Sequence, residues 1–239
     1  MLSVQNLKFT SKTRESFDYT FDGGTSLIIG IAGRASCGKT LLLSLLNGRA
    51  NPSDGTISLR GTPVGSSFLK KAASVFPHTE SVYDDTPREQ IRHCRNGIVT
   101  GFIEKNLVHF FEDANLPRYA LCESKRKIAD IMQAASETKE ILTLDNPDAA
   151  LDPEQLSHLG SFLREYSIIL QKTVVIASHN VTFLANCCNM IVFLKKGTVA
   201  AQMTPEKISE EMLADIYDVP ASIAADISTG KLRINIETV

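Results

Sequence analysis

The sequence predicts an α/β fold: a mostly parallel sheet wrapped by helices, with an N-terminal antiparallel β flank and an inserted α-helical subdomain. Three observations predict it. Short apolar runs bounded by turn residues alternate with helical patterns, as strands buried on both faces of a parallel sheet do. Two segments near the N-terminus instead alternate apolar and polar residues, the pattern of half-buried antiparallel strands. Residues from about 86 to 135 carry helical patterning without a clear strand.

In chain order, residues 2–9 (LSVQNLKF) alternate imperfectly at period two, and residues 56–60 (TISLR) alternate cleanly between Gly55 and Gly61; both belong to the antiparallel flank. Between them, residues 27–31 (LIIGI) read as a short buried strand and residues 40–46 (TLLLSLL) as a helix. Further parallel-core strands are expected at 74–76 (SVF), 140–144 (EILTL), 173–177 (TVVIA) and 190–194 (MIVFL). The helical insert includes IEKNLVHFF at 103–111 and is broken internally by Pro117. The whole of 1–239 is expected to be one domain, large enough to bury a core, with a C-terminal extension over about 203–239.

A formal charge of −2 gives no global reason to expect nucleic acid or an anionic membrane surface as partner. No apolar run approaches about 18 residues, so nothing reads as a membrane span. The start, MLSVQNLKFTSK, lacks a charged region followed by an apolar one, which argues against secretion. Five cysteines (Cys37, Cys94, Cys122, Cys187, Cys188) show no metal-ligand spacing, and their odd number suits reduced thiols in a cytosol; adjacent Cys187 and Cys188 read as small core residues.

The chemistry is concentrated between the strand at 27–31 and the helix at 40–46. Gly33-Arg34-Ala35-Ser36-Cys37-Gly38-Lys39-Thr40 is a complete GxxxxGK[ST] phosphate loop. Gly33 and Gly38 let successive N–H groups turn inward, and the new helix presents its positive end. Lys39 adds a charge for the β and γ phosphates, and the Thr40 hydroxyl can ligate Mg²⁺. A second motif, ILTLD at 141–145, sets Asp145 at the carboxyl edge of the sheet, where its carboxylate can hold Mg²⁺ directly or through water. Together they specify a P-loop NTPase core.

The order GRASCGKT, NPSDGTI (51–57), LDNPDAALD (144–152) and IASHN (176–180) resembles the ATP-binding subunit of ABC transporters over nearly the whole chain. The resemblance implies ATP and Mg²⁺ as cofactors, a D-loop matched by Ala150-Leu151-Asp152, and a switch histidine matched by His179. It also implies a head-to-tail dimer with a second such subunit, identical or not, and polytopic permease subunits as partners, with no nucleic acid. The expected location is then peripheral, on the cytoplasmic face of a membrane.

The same resemblance marks what this chain lacks. The family glutamate that polarises the attacking water is replaced by Asn146, and an amide cannot accept a proton as a carboxylate can. The family signature LSGGQ is matched in register by Leu121-Cys122-Glu123-Ser124-Lys125, where only Leu121 agrees; the alternative is that an ordinary helix start occupies this segment. Both signature glycines are replaced, and Glu123 would repel a phosphate unless it turns outward. Ser36 stands where the family has a third loop glycine. The family glutamine that links metal, water and permease falls on Pro77, or on His78 if the turn is shifted, because TPREQI at 86–91 resembles the segment that follows it. The aromatic that stacks on adenine is replaced by Ser11, unless Phe9 substitutes.

Three functions follow as expectations. The first is the ATPase subunit of a transporter, an importer, with slow or partner-dependent hydrolysis; residues 203–219 and 229–231 resemble the tail of the subclass that imports iron chelates, haem or cobalamin. The second is a catalytically degenerate pseudo-ATPase that regulates or scaffolds such a complex. The third is a soluble P-loop protein unconnected with transport.

Overall fold

The computed structural model describes residues 2–10, 16–24, 28–76, 85–92, 96–226 and 229–237. The chain begins with strands β1 (Leu2–Thr10) and β2 (Ser16–Asp22), then runs through β3 (Ile28–Gly33) into helix α1 (Lys39–Leu46). Strands β4 (Asp54–Leu59) and β5 (Thr62–Val64), helix α2 (Ser66–Ala72) and strand β6 (Ala73–Phe76) follow. The helical insert holds α3 (Pro87–Arg92), α4 (Gly97–Asn106) and α5 (Glu123–Glu137), with short 3₁₀ turns at Leu107–His109 and Arg118–Ala120. Next come β7 (Ile141–Asp145), α6 (Pro153–Leu170), β8 (Thr173–Ala177), α7 (Val181–Cys187), β9 (Met190–Lys195) and β10 (Thr198–Met203). Helix α8 (Glu210–Tyr217) and the hairpin β11 (Ala221–Ala225) and β12 (Leu232–Ile236) complete it. No helix among the described residues is long and apolar enough to cross a membrane.

One ten-stranded sheet runs β5-β4-β1-β2-β10-β9-β3-β8-β7-β6. The strands β9, β3, β8, β7 and β6 are parallel, which sets their carboxyl ends along one edge. The other flank, β5, β4, β1 and β2, is antiparallel. Strand β10 joins the halves: it is antiparallel to β9 and touches β2 through Thr198 and Asp18. The sheet is therefore mixed, with the parallel part forming the core and the antiparallel part the flank.

Both faces of the parallel core are covered, which is why its strands are continuous apolar runs. Every residue of β3 and β8 is buried. Ile28, Leu142, Leu144, Val174 and Ile176 face one hydrophobic layer with Ile131, Met132, Phe162 and Tyr166 of α5 and α6. Ile29, Ile31, Ile141 and Val175 face the other, with Leu42, Leu45 and Leu46 of α1 and Val4, Leu7 and Tyr19 of the flank. Full burial of each such side chain is worth about 1.5–3 kcal/mol.

Several elements go beyond the sequence expectations. Strand β2 was not expected, although Phe17, Tyr19 and Phe21 alternate with polar residues along SFDYTFD. Helix α1 begins at Lys39, within the phosphate loop, and α5 begins at Glu123. Pro117 does break the insert, standing before the 3₁₀ turn at 118–120. The segment at 86–91 forms a capping box: the Thr86 N–H donates to Glu89 Oε2 at 2.9 Å and the Glu89 N–H to Thr86 Oγ1 at 3.3 Å. Cys187 and Cys188 are buried, as expected. At the C-terminus the expected extension holds a full antiparallel hairpin, β11 with β12. Its edge is paired by a helix: Thr182 Oγ1 of α7 donates to Ile234 O and accepts from Ile234 N–H, each at 2.9 Å. One turn on, Asn186 does the same with Leu232 at 2.7 and 2.9 Å. Pro77, His78 and Ser11 lie outside the described residues.

Candidate nucleotide-binding site

The site lies at the carboxyl edge of the parallel core, where β3, β7 and β8 end side by side. Two glycines define the loop that leaves β3. Gly33 has φ 142°, and a Cβ there would lie 2.4 Å from Leu194 O; Gly38 has φ 102°, and a Cβ there would lie 2.4 Å from the Tyr19 hydroxyl. Gly38 is also the N-cap of α1 and offers no side-chain acceptor, so the first N–H groups of the helix are left for a ligand. The wholly buried Tyr19 donates its hydroxyl to Gly38 O at 3.1 Å, and burial pushes its phenol well above the ordinary range. Ser36 has φ 61°. The position therefore does require the left-handed region that glycine occupies freely, and serine holds it at a cost of about 1–2 kcal/mol.

Lys39 fills the hollow of the loop. Only 6% of it is exposed, and its Nζ donates to Gly33 O at 2.7 Å and Arg34 O at 2.9 Å, with His179 Nδ1 at 3.4 Å. Burial pulls the lysine pKa down, against the opposing influence of Cys37 and Asp145. The Cys37 thiol, 3.9 Å from Nζ, is pushed up by burial. An ammonium can only donate, so Nδ1 of His179 accepts and a neutral ring carries its proton on Nε2. His179 is exposed, yet partial desolvation and Lys39 lower its pKa, while Asp148 and Asp145 oppose them.

The two residues expected to hold a metal meet directly: Thr40 Oγ1 donates to Asp145 Oδ2 at 2.7 Å. A hydroxyl and a carboxylate converging beside a phosphate loop are the hard oxygen donors that suit Mg²⁺, which takes its remaining ligands from phosphate and water. Bound there, it would neutralise phosphate charge. Asn146 stands next, in the left-handed region at φ 47°, which asparagine tolerates better than most residues. Its N–H donates to Ala177 O at 2.8 Å and its side-chain amide to Asp145 Oδ1 at 3.0 Å.

The structure places the signature register at the start of α5, the helix directly before β7. Leu121 is buried in the core, while Cys122 and Glu123 are exposed, so the Glu123 carboxylate faces outward. Hydrogen bonding to Ser124 holds the Cys122 thiol below its ordinary pKa. The N-cap residue of α5, Cys122, makes no side-chain cap hydrogen bond. A two-pronged ion pair between Arg118 and Asp130 braces this loop on its helix. Ser124 Oγ accepts from Gln155 Nε2 at 3.2 Å, and Lys127 Nζ donates to Ala149 O at 2.6 Å. Asp152 caps α6, accepting from Gln155 N–H at 2.8 Å in a reciprocal capping box. Among the described residues, no hydrogen bond or ion pair joins 121–124 or 152 to the phosphate loop 33–40.

Sequence reasoning found Gly33 to Thr40, Asp145, Asn146 and His179, and the fold brings these together. It missed Tyr19, whose signal was the alternation of β2, and Asp148, a carboxylate three residues past Asp145. It also missed the arm of the loop: Arg34 pairs with Asp218 at 3.1 Å, and Lys195 with the same carboxylate at 3.2 Å, tying the loop to the end of α8. Asp218 is held below the usual carboxylate range by Lys195.

Residues 18–149, more than half of the chain, match the profile of the ABC transporter family. The methionine import ATP-binding protein MetN of Ralstonia nicotianae is 26% identical over 238 residues, covering 90% of this chain and 64% of that protein. The chain spans between about half and two thirds of the length of the first curated relatives it matches. A metal-chelate type ABC transporter in an inward-facing conformation superposes with a TM-score of 0.78 at 20% identity, over 99% of this chain and 97% of its own. The ATP-binding cassette MJ0796, dimeric in a post-hydrolysis state with ADP and Pi, superposes with a TM-score of 0.70 at 18% identity, over 87% of this chain and all of its own. These likenesses establish the fold.

Proposed function

The chain belongs to the ABC transporter family, and from that premise we propose that it is the ATP-binding subunit of a membrane importer, capturing Mg-ATP but hydrolysing it slowly or only with a partner's help. One observation carries the reading. Lys39, Thr40 and Asp145 stand ready for phosphate and metal, while Asn146 directs its amide at Asp145 and offers no base. Loss of a general base costs on the order of 10² to 10⁴ in rate. An incoming phosphate would take Lys39 from the two carbonyls it now serves and relieve the cost of its burial. Lys39 and the N–H groups of α1 would then orient the phosphates, with Thr40 and Asp145 as metal ligands.

The dimeric state of the MJ0796 cassette supports a second ATPase subunit as partner, alike or different. In a head-to-tail pair, the outward Glu123 would stand at the partner's site, and each self-paired site would combine Asn146 with a degenerate signature. Permease subunits complete the proposal and put the protein on the cytoplasmic face of a membrane. Methionine import by MetN favours import as the direction.

Equilibrium binding of ATP with Mg²⁺, followed by phosphate release from the purified chain, tests this. Tight binding with turnover below about 1 s⁻¹ is expected, since typical enzymes reach about 1 to 10³ s⁻¹. A typical rate would overturn slow hydrolysis, and absence of binding would overturn the whole reading. Asn146→Glu should raise turnover at least about tenfold, a small part of what a base contributes. No gain would instead favour the scaffold or regulator, the second reading that Asn146 supports.

A further inference from the structure

The turn after β7 carries a second carboxylate. Asp148 is half-buried, and its Oδ1 accepts a 2.6 Å hydrogen bond from Ser178 Oγ, a distance at the strong end for a hydroxyl on a carboxylate. Ser178 is wholly buried between the last residue of β8 and His179, and its N–H reaches Ile31 O at 3.1 Å. The same hydroxyl accepts from the Asn180 N–H at 2.9 Å. Ser178 Oγ therefore donates to one neighbouring loop and accepts from the residue on the far side of His179. Rotating it would leave buried polar groups unpaired, so the 178–180 turn is fixed to Asp148.

Charges of both signs act on the imidazole. Lys39, from the start of α1, approaches Nδ1 at 3.4 Å, and Asp145 and Asp148 are the acidic groups that act on the ring. Asp145 has both oxygens engaged, by Thr40 and by the Asn146 amide. Asp148 Oδ2 has no hydrogen-bond partner among the described residues. Asp148 is thus the carboxylate of this edge still able to serve the histidine.

We propose that Asp148 is the positioning residue of His179, anchoring the 178–180 turn through Ser178 and supplying beside the ring the negative charge that position 146 lacks. The proposal rests on the reading of residues 33–40 as an ATP site with His179 facing its terminal phosphate. When phosphate draws Lys39 away, one influence that keeps the ring neutral goes with it, and Asp148 then favours the imidazolium. A charged ring at that place stabilises phosphoryl oxygens.

The test is an NMR titration of His179 in the full chain without nucleotide, its signal assigned with His179→Gln. Asp148→Asn keeps an acceptor for Ser178 but removes the charge; it should lower the His179 midpoint by about half a pH unit or more, as loss of a nearby opposite charge does. Ser178→Ala keeps the charge but frees the carboxylate, and should lower the midpoint by a smaller amount. In turnover assays Asp148→Asn should lower kcat several-fold with little change in KM. An unchanged midpoint in both variants overturns the proposal, as does an unchanged midpoint in whichever variant folds if the other does not. ATP binding by the unsubstituted chain is measured in parallel; its absence would sink the ATP reading while the titration still reports on Asp148 and His179.

Discussion

Gly38 shows how one residue can carry two requirements. It needs a backbone conformation closed to L side chains, and any Cβ would collide with the hydroxyl that braces the loop from β2. Gly38→Ala is expected to cost about 2 kcal/mol or more in urea unfolding, from left-handed strain plus displacement of Tyr19. It should also weaken ATP binding at least tenfold in a fluorescent-nucleotide titration, because the loop N–H groups move with it. The motif around Gly38 was legible because its spacing is local: loop, lysine and threonine are consecutive, and one chain segment fixes their geometry. Tyr19 was not legible as part of the site. Its contact with Gly38 spans 19 residues and depends on how β2 lies against α1, which no local pattern records.

Elements were read best where burial made them uniform. The strands β3, β7, β8 and β9 were found as apolar runs because helices or flank strands cover both their faces. Half-covered strands give weaker signals, and β10, with alternating exposed and partly buried residues, went unread. The C-terminal hairpin illustrates the limit, since its edge is completed by side chains of α7 rather than by another strand. Thr182→Val keeps the shape of the side chain but removes both bonds to Ile234. The expected cost is about 1–3 kcal/mol, since two backbone groups lose their partner. Hydrogen exchange should show the Ile234 amide losing protection while amides of β3 keep theirs.

For the whole molecule, the proposed capture of Mg-ATP would add stability to the folded state. A ligand that binds only the folded state at about 100 times its Kd adds about 2.7 kcal/mol, so Mg-ATP should raise the thermal midpoint by several degrees. The shift should vanish in Lys39→Ala, whose phosphate contacts are lost. The Arg34–Asp218 pair crosses from the loop to the C-terminal helix, but both side chains are about half exposed. Asp218→Asn should accordingly leave the urea unfolding midpoint nearly unchanged. The sequence by itself determined the α/β class, the phosphate loop, the aspartate that ends β7, the asparagine after it and the family resemblance these carry, because each is written in consecutive residues or in their periodicity. Only the tertiary structure decided that Thr40 meets Asp145, that Lys39 lies against His179, and that Ser178, next to that histidine in the chain, binds Asp148. These are contacts between strand ends far apart in the chain, and they exist only once the parallel sheet sets those ends along one edge.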